Sequence, residues 1–390
     1  MKTEDSSSAD VPSPTGSTSS SGSVAATAKT IERFHLLSII KVLLKYDENW
    51  LSSQPELFHI LRSIWLSDTF FKEHTTSLST FEYSQFKEPK VLAKCLLAHF
   101  NANKDSEIDT LFILLRAFIM KHNSDTEFFR KYLSETIMKT QSAEWKRAAF
   151  LRFVEIFREE IDHGTSLWTQ ELITNILKFV IIPAFAYSFE CGETESLLGP
   201  PSMKAQMLLQ DKQENPDLVY IFVSKIYAEI KHYSSDSVRI ALMQFMYLII
   251  DRATAYVQPN NSKRQEKQTQ KNTEDNSMRL IMSYPWSTLS EHCIDPGNKY
   301  FGHLLMALLI TRMPLAKSIT RSMYLSLMKP TSSEAQQLVR ASLDLLINHI
   351  AQNQKHEHFK KMLPKWFRQT FIEESCNQQH LMHLMQVGFL

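Results

Sequence analysis

The sequence predicts an all-α fold, a HEAT-like α-solenoid of antiparallel helix pairs. Apolar residues recur at helical spacing through most of the chain, and proline repeatedly follows a polar residue where an apolar run begins. No run alternates convincingly between apolar and polar residues, as a half-buried strand would. Helices joined by short turns form antiparallel hairpins, and hairpins repeating about every 40 residues are typical of HEAT-like stacks. Because the period is irregular here, a compact helical bundle is the alternative.

The first 28 residues differ in kind from the rest of the chain. They are rich in serine, contain Pro12 and Pro14, and have almost no large apolar side chain. Burial cannot offset the entropy of ordering such a segment, so we expect residues 1–28 to be a disordered tail. The HEAT-like helical repeat region is then expected to cover residues 29–390.

Two amphipathic helices are predicted with polar starting residues. Over residues 106–122 the apolar positions form one broad stripe, and Ser106 with Asp109 has the spacing of a capping box. Ser333 and Gln336 repeat that start before a second stripe over residues 333–350. The stripe residues are Ile108, Leu111, Phe112, Leu115, Phe118 and Ile119 in the first helix, and Val339, Leu343, Leu346, Ile347 and Ile350 in the second.

A third helix, over residues 238–250, is apolar nearly all round, so we expect it to be covered on more than one side. Proline favours the first helical position, where its missing N–H costs nothing. The predicted starts of this kind are Asn215-Pro216, Asp295-Pro296, Gln54-Pro55 and Glu88-Pro89. Pro183 instead falls inside the run 171–189, and we expect it to break or kink that helix after Ile182.

Two longer connections are expected to interrupt the stack. The first, residues 193–213, contains Gly199-Pro200-Pro201. The second, residues 259–277, is polar and contains Lys263, Arg264, Lys267 and Lys271 among acidic residues.

The composition excludes several classes of function. The net charge is +1, so no overall field attracts nucleic acid or an anionic membrane. Only eight glycines occur, and none of them forms a phosphate-binding loop. No uninterrupted apolar run reaches the roughly 18 residues that a membrane span needs. We therefore predict no cofactor, no small-molecule substrate, no direct nucleic-acid binding and no membrane.

Candidate chemical groups have ordinary structural explanations. Cys376, His380 and His383 would share one helical face, and His356 or His358 could complete a zinc site, but the spacing is also that of an ordinary amphipathic face. The four cysteines, Cys95, Cys191, Cys293 and Cys376, are far apart and suit buried free thiols. The prominent aromatic residues are expected in the core. They are Trp65, Phe70, Phe71, Trp145, Trp286 and Trp366.

No serine or cysteine is framed as a catalytic nucleophile, and no kinase motif is present. We predict no enzyme activity and no catalytic, cofactor-binding or metal-binding residue, and we assign no partner-binding residues. The basic segment from Lys263 to Lys271 lacks aromatic residues for base stacking and alternates with Glu and Gln. It is expected to be a solvated loop, with an acidic activation domain, nucleic acid or an import receptor as alternative partners.

Several blocks of the sequence resemble one family. FLRFVEIF begins at Phe150, PAFAYSFECGETESLLGPP at Pro183, and YPWSTLSEHCIDPGNKYFGHLL at Tyr284. With KEPKVLAKCLLAHF (87–100) and TLFILLRAF (110–118), they are similar to part of the HEAT-repeat solenoid of the TRRAP family, the transformation/transcription domain-associated proteins. The resemblance runs from about Asp47 to Gln386 and implies a fragment or short form of that solenoid.

The resemblance implies a function without chemistry. The family is similar to lipid-kinase-like protein kinases but is a pseudokinase family, and its members act as nuclear scaffolds of histone acetyltransferase complexes in chromatin. The implied partners are subunits of those complexes and acidic transcription activators. The alternative is a stand-alone helical-repeat adaptor unrelated to chromatin. We also expect the isolated chain to self-associate, because the first and last helices of the stack would expose apolar faces.

Overall fold

The described residues of this computed structural model are almost entirely helical. They are residues 20–75, 83–120, 126–163, 167–199, 218–233, 235–257, 271–290, 293–313, 315–328, 335–352 and 357–373, with positions 378, 382, 384 and 385. Within these ranges there is no β-strand, which confirms the predicted all-α class. The chain divides into two compact units, residues 1–104 with 120–125, and residues 105–119 with 126–390.

The described residues of the first unit form four α-helices. These are α1 (Ser20–Tyr46), α2 (Pro55–Leu66), α3 (Asp68–Thr75) and α4 (Tyr83–Ala102), with a 3-10 turn at Trp50–Ser53. Asn103 Nδ2 donates to Ser52 Oγ at 2.9 Å, and the His99 ring stacks on Phe58 with centroids 3.6 Å apart. These paired positions run in opposite directions along the chain, so α2 and α4 are an antiparallel pair.

The described residues of the second unit form the remaining helices and three π turns. Its helices are α5 (Ile108–Leu114), α6 (Glu127–Tyr132), α7 (Ala143–His163), α8 (Gln170–Glu190), α9 (Thr194–Leu198), α10 (Leu218–Ile221), α11 (Asp236–Arg252), α12 (Thr254–Val257), α13 (Lys271–Thr288), α14 (Pro296–Arg312), α15 (Lys317–Leu327), α16 (Gln336–Gln352) and α17 (Glu357–Glu373). The π turns are Leu133–Ile137 after α6, Leu177–Ile181 inside α8, and Phe222–Ile226 after α10. Leu115–Phe118 and Tyr227–His232 are 3-10 helical, and Met138–Thr140 is a short α-helical end.

Helices of the second unit form antiparallel pairs and parallel neighbours. Lys146 contacts Ser188 while Phe150 contacts Phe185, so α7 and α8 are antiparallel. Parallel neighbours are related by a regular sequence offset. The backbone N–H of Ser235 bonds Gln170 across 65 residues from α8 to α11, and Arg312 bonds Asp251 across 61 residues from α11 to α14.

This offset is longer than the period of about 40 residues expected for simple helix pairs. Between each pair of parallel neighbours the described residues contain further helices, α9 and α10 before α11, and α12 and α13 before α14. The antiparallel pairing predicted from the sequence is present, but the repeating unit is larger.

The predicted apolar helix over residues 238–250 is confirmed as α11. Its buried residues include Val238, Leu242, Phe245 and Ile249, and it packs against α8, α14 and the 3-10 segment Tyr227–His232. The stripe of α16 is also confirmed, with Val339, Leu343, Leu346 and Ile350 buried and Ile347 half-buried. In α5 and the following 3-10 turn, the stripe is buried from Ile108 to Leu115 and half-buried at Phe118 and Ile119.

Proline lies at two of the predicted helix starts, whereas Pro89 and Pro183 lie within helices. Pro55 and Pro296 lie at the first helical positions of α2 and α14, and the Asp295 side chain caps α14 by accepting from the Asn298 N–H. Pro89, predicted to start a helix, lies inside α4. Pro183 does not break α8, because the helix passes through a π turn just before it and continues to Glu190; the predicted kink stays a prediction. The Asn215-Pro216 start lies outside the described residues.

Several predicted boundaries are wrong. Helix α1 begins at Ser20, inside the expected tail, and its alanines at 25, 26 and 28 favour helix; residues 1–19 lie outside the described part of the chain. The connection 193–213 contains α9, and the connection 259–277 ends where α13 begins at Lys271. Residues 200–217 and 258–270 are not described.

The Ser106–Asp109 capping box is also wrong. Helix α5 has Glu107 at its N-cap position without a side-chain cap, and Asp109 instead accepts two hydrogen bonds from Arg152, at 2.6 and 2.8 Å. A long-range ion pair thus takes the carboxylate that the local pattern assigned to the helix start. Ser333 lies outside the described residues.

By length and composition alone, one helix among the described residues, α8, would be long enough to cross a membrane. Its mean hydropathy is 1.7, and 61% of its most apolar window is buried inside the protein. A buried core helix passes the same test, so the finding is weak evidence for a membrane span.

Candidate interaction surfaces

The side chains weighed above as zinc ligands lie mostly outside the described residues. Cys376, His380, His383 and His356 lie outside them, and His358 is exposed on α17. Among the residues that the structure describes, no group of three or more His, Cys, Asp or Glu side chains is arranged to hold a metal ion. The basic segment 263–270 is likewise outside the described ranges.

Most of the prominent aromatic side chains are in the core, as predicted. Trp65, Phe70, Trp145 and Trp366 are buried. Trp286 is the exception to that prediction, because 43% of it is exposed on α13. Phe71 is half-buried.

The cysteines divide by burial. Cys95 is fully buried, and burial raises the pKa of its thiol to about 12, so it stays protonated and packs as an apolar residue. Cys293 is half-buried, but Cys191 is exposed, contrary to the expectation of buried thiols. None of these three forms a disulfide, and Cys376 is not described.

The resembling block that begins at Pro183 forms a polar corner where α8 ends, with Ser188, Glu193 and the nearby Lys146. Lys146 is buried, and its Nζ donates to Ser188 Oγ at 2.7 Å. Ser188 Oγ in turn donates to Glu193 Oε2 at 2.8 Å, and that carboxylate lies 3.8 Å from the ammonium. Burial lowers the pKa of Lys146, and the attraction of Glu193 opposes that shift. The chain turns here through Gly192, whose φ of 78° favours glycine.

A serine beside a lysine with a lowered pKa is also the arrangement of a nucleophile and its base. Ser188, however, is 0% exposed and its hydroxyl hydrogen is donated to Glu193. A substrate carbonyl has no approach to this oxygen in the folded chain. The cluster therefore ties α7 to the end of α8.

The same block also fixes α9 against α7. Arg147 Nη1 donates to the carbonyl oxygens of Gly199, at 2.5 Å, and Leu197, at 3.4 Å. These carbonyls belong to the C-terminal turn of α9, where backbone acceptors lack intrahelical donors. Leu197 and Leu198 are buried beneath the arginine. A sequence reading that looks for catalytic patterns misses this arrangement, because its partners are about 50 residues apart.

The resembling block that begins at Tyr284 joins α13, α14 and α11 through a buried amide. Asn298 is 2% exposed and its Nδ2 donates to Asp236. Its Oδ1 accepts from the Tyr284 hydroxyl at 3.3 Å, while its backbone N–H donates to Asp295. Four polar groups from three helices thus satisfy one another, which fixes the crossing of these helices.

Two helices approach very closely in this block. A Cβ added at Gly302 on α14 would lie 1.8 Å from Thr288 Oγ1 and 3.1 Å from Thr288 Cβ. Thr288 is 3% exposed and its hydroxyl donates to the Pro285 carbonyl at 2.8 Å. Glycine is therefore required by the contact.

The next residue of α14, His303, is fully buried between two polar groups. Its Nδ1 contacts the Lys299 carbonyl at 2.6 Å and its Nε2 contacts Ser326 Oγ at 2.9 Å. In the neutral ring Nδ1–H donates to the carbonyl, and Nε2 accepts from the hydroxyl. Burial lowers the pKa of His303 to about 4, so this ring is neutral at physiological pH.

In the first unit, a buried carboxylate holds three helices together. Glu88 on α4 is 0% exposed and accepts from Arg33 on α1 through both carboxylate oxygens. His74 Nε2 on α3 lies 3.5 Å from Glu88 Oε2, and Arg33 also reaches Glu73 at 3.1 Å. Burial alone would raise the pKa of Glu88, but hydrogen bonds from His74 and Arg33 outweigh it and lower that pKa. The cluster joins α1, α3 and α4 within the first unit.

One face of α1 is apolar and open to solvent. Leu37 and Leu44 are buried on one side of this helix, whereas five large apolar side chains are exposed on the other: Leu36, Ile39, Val42, Leu43 and Tyr46, at 62%, 58%, 49%, 40% and 88%. Exposed apolar patches of this kind mark interaction sites. The open face of α1 agrees with the expectation of an uncovered first helix.

Comparison with known proteins identifies what the chain resembles. Residues 11–387 match the family model of the Tra1 HEAT repeat ring region. The chain is 33% identical over 364 residues to the zebrafish (Danio rerio) transformation/transcription domain-associated protein, and 33% identical over 358 residues to the human protein of that name. It is 31% identical over 352 residues to transcription-associated protein 1 of Drosophila melanogaster.

These matches cover nearly all of this chain but little of the relatives. They span 93%, 91% and 90% of the chain and only 9%, 8% and 8% of the respective relatives. No solved structure shows significant similarity. The match to a HEAT repeat model confirms the predicted HEAT-like α-solenoid class.

Proposed function

Because this chain belongs to the family of the Tra1 HEAT repeat ring region, we propose that it is a non-catalytic scaffold segment that supports histone acetyltransferase complexes and the recruitment of transcription activators in the nucleus. The observation that carries the proposal is the family match over residues 11–387. The relatives' names associate them with transcription, and a HEAT repeat region is a binding architecture.

The geometry of the chain supports a role in binding rather than in chemistry. The polar clusters around Lys146, Asn298 and Glu88 each join helices through contacts among their own side chains. The surfaces exposed to solvent include the apolar face of α1 and charged faces of other helices. Such surfaces bind other proteins, and the proposed partners are acetyltransferase subunits and acidic activators.

The test is affinity purification of the tagged chain from nuclear extract, with quantitative mass spectrometry. Enrichment of acetyltransferase subunits over an untagged control is the expected result. Enrichment of transport receptors and cargo without those subunits would favour the stand-alone adaptor instead. The cellular location of the tagged chain by microscopy is a second readout, with nuclear accumulation expected.

A further inference from the structure

A row of cations occupies the solvent side of α17. Lys361, Lys365 and Arg368 are all exposed and follow one another at spacings of four and three residues, which place them on one helical face. The opposite face is fixed to the protein, since Trp366 is buried with its ring 6.1 Å from Tyr324 and 5.7 Å from Phe359. The row is thus held on a packed helix.

Acidic residues of α17 do not neutralise this row. The helix contains two of them, and Glu357 contacts Lys360 at 3.9 Å while Glu373 accepts from Gln369 at 2.8 Å. Among the described residues, no ion pair reaches Lys361, Lys365 or Arg368. Like charges at these spacings destabilise a helix by a few tenths of a kcal/mol per pair, so the row weakens α17 rather than stabilising it.

Exposed apolar side chains continue from the end of the row. Phe371 is 37% exposed and Ile372 is 61% exposed, directly after Arg368. Ile372 lies one turn beyond Arg368 on the same face. A ligand that follows the row therefore meets cations first and apolar surface next.

We propose that this row of α17 and its apolar end bind an acidic amphipathic protein segment, with carboxylates on Lys361, Lys365 and Arg368 and large apolar side chains on Phe371 and Ile372. The cations span about 10 Å along the helix, so carboxylates three or four residues apart on a helical segment match them. The apolar end favours such a segment over a nucleic-acid backbone, whose phosphates have no apolar counterpart. This inference rests on the proposed function, because it assigns a surface to the acidic partners.

The test measures fluorescence anisotropy of a labelled peptide that carries aspartate at every third or fourth position with leucine and phenylalanine between. Saturable binding that weakens as salt is added is expected, because exposed charges are screened over about 8 Å at physiological ionic strength. Replacing Lys361, Lys365 and Arg368 together by glutamate should weaken binding at least tenfold, an order-of-magnitude expectation for reversed charges in an interface. Replacing the same three residues by glutamine should give an affinity between those of the original chain and the glutamate variant.

The matched control reverses three other exposed lysines, Lys139, Lys178 and Lys231, and so changes the net charge equally. Its affinity should stay within about twofold of the original. Ile372→Ser should weaken peptide binding without changing its salt dependence. Circular dichroism checks that every variant stays folded.

Each of the following outcomes would overturn the inference. Equal affinity after reversal of the row, or no saturable binding by any form, removes α17 as the acidic-segment site. A short DNA duplex could instead bind more tightly than the peptide. If reversing the row abolished that binding and Ile372→Ser left it intact, the row would be assigned to nucleic acid. A change of oligomeric state on reversal would assign it to a second copy of the chain. Co-purification of acetyltransferase subunits is independent of these results, so the proposed function fails separately.

Discussion

The close approach of α13 and α14 predicts a specific response to adding one methyl group. Gly302→Ala places a carbon 1.8 Å from Thr288 Oγ1, about half of an ordinary contact distance. The hydroxyl cannot rotate away freely, because it donates to the buried Pro285 carbonyl at 2.8 Å. Either the helices separate or this hydrogen bond is lost.

The magnitude follows from opposing effects. Alanine in place of glycine inside a helix gains about 1 kcal/mol of propensity. Overpacking costs about 1–3 kcal/mol, and a buried carbonyl that loses its donor costs about 1–3 kcal/mol. Because the variant incurs one of these two costs, about 2 kcal/mol, and gains about 1 kcal/mol of propensity, we expect Gly302→Ala to lower the free energy of unfolding by about 1 kcal/mol. Adding Thr288→Ala removes the clashing oxygen and leaves carbon atoms about 3 Å apart, so the double variant should recover part of the loss.

A second glycine of α14 is the matched control. The Cβ of Gly297→Ala would lie 2.7 Å from Ile240 Cδ1, the flexible end of a side chain. Its effect should stay within about 0.5 kcal/mol. Urea unfolding followed by circular dichroism gives the midpoints, and hydrogen exchange of peptides from α13 and α14 locates the loss. Equal midpoints for Gly302→Ala and Gly297→Ala, or no recovery with Thr288→Ala, would refute the close packing.

The remaining predictions concern a buried lysine, a buried histidine and the open face of α1. Lys146→Glu should cost about 3–5 kcal/mol in urea unfolding because it buries a carboxylate beside Glu193, whereas Lys146→Met should cost about 1 kcal/mol. The folded-state pKa of His303, about 4, lies below its usual 6.5. The stability that His303 contributes to the folded chain is therefore complete above pH 6.5 and falls by about 3 kcal/mol as the pH drops to 4. A His303→Gln variant should lack this loss in pH-dependent unfolding. Sedimentation at micromolar concentration should show that the unmodified chain self-associates. The double variant Leu36→Glu with Ile39→Glu should abolish this self-association, and the control Ile60→Glu, on α2, should leave it intact. A monodisperse monomer before any substitution would contradict this prediction.

Local patterns predicted the features that depend on neighbours in the sequence. The apolar residues around Phe245 identified a helix buried on several sides, and Asp295-Pro296 identified a helix start whose cap the structure contains. The Lys146 and Asn298 clusters were not predictable, because their partners lie 42 and 62 residues away. Nothing near a residue in the sequence indicates which distant helix will face it.

Where local patterns were wrong, a distant contact had changed the outcome. Asp109 has the spacing of a capping residue, but Arg152 binds it from α7. Pro89 has the form of a helix start, but Glu88 beside it is fixed by Arg33 and His74, and α4 continues through both residues. The row on α17 was readable as basic from the sequence, and its solvent side became known only from the burial of Trp366.

The π turn at Leu177–Ile181 affects how α8 can be aligned with related sequences. A π turn closes its hydrogen bond one residue later than an α turn, so it holds one extra residue and rotates everything after it by about 100°. A relative that is one residue shorter here keeps its inward and outward positions only if the gap is placed within 177–181. A gapless alignment would shift every compared position from Ile182 to Glu190 by one residue, about 100° around the helix, and Ser188 would be compared with the wrong residue.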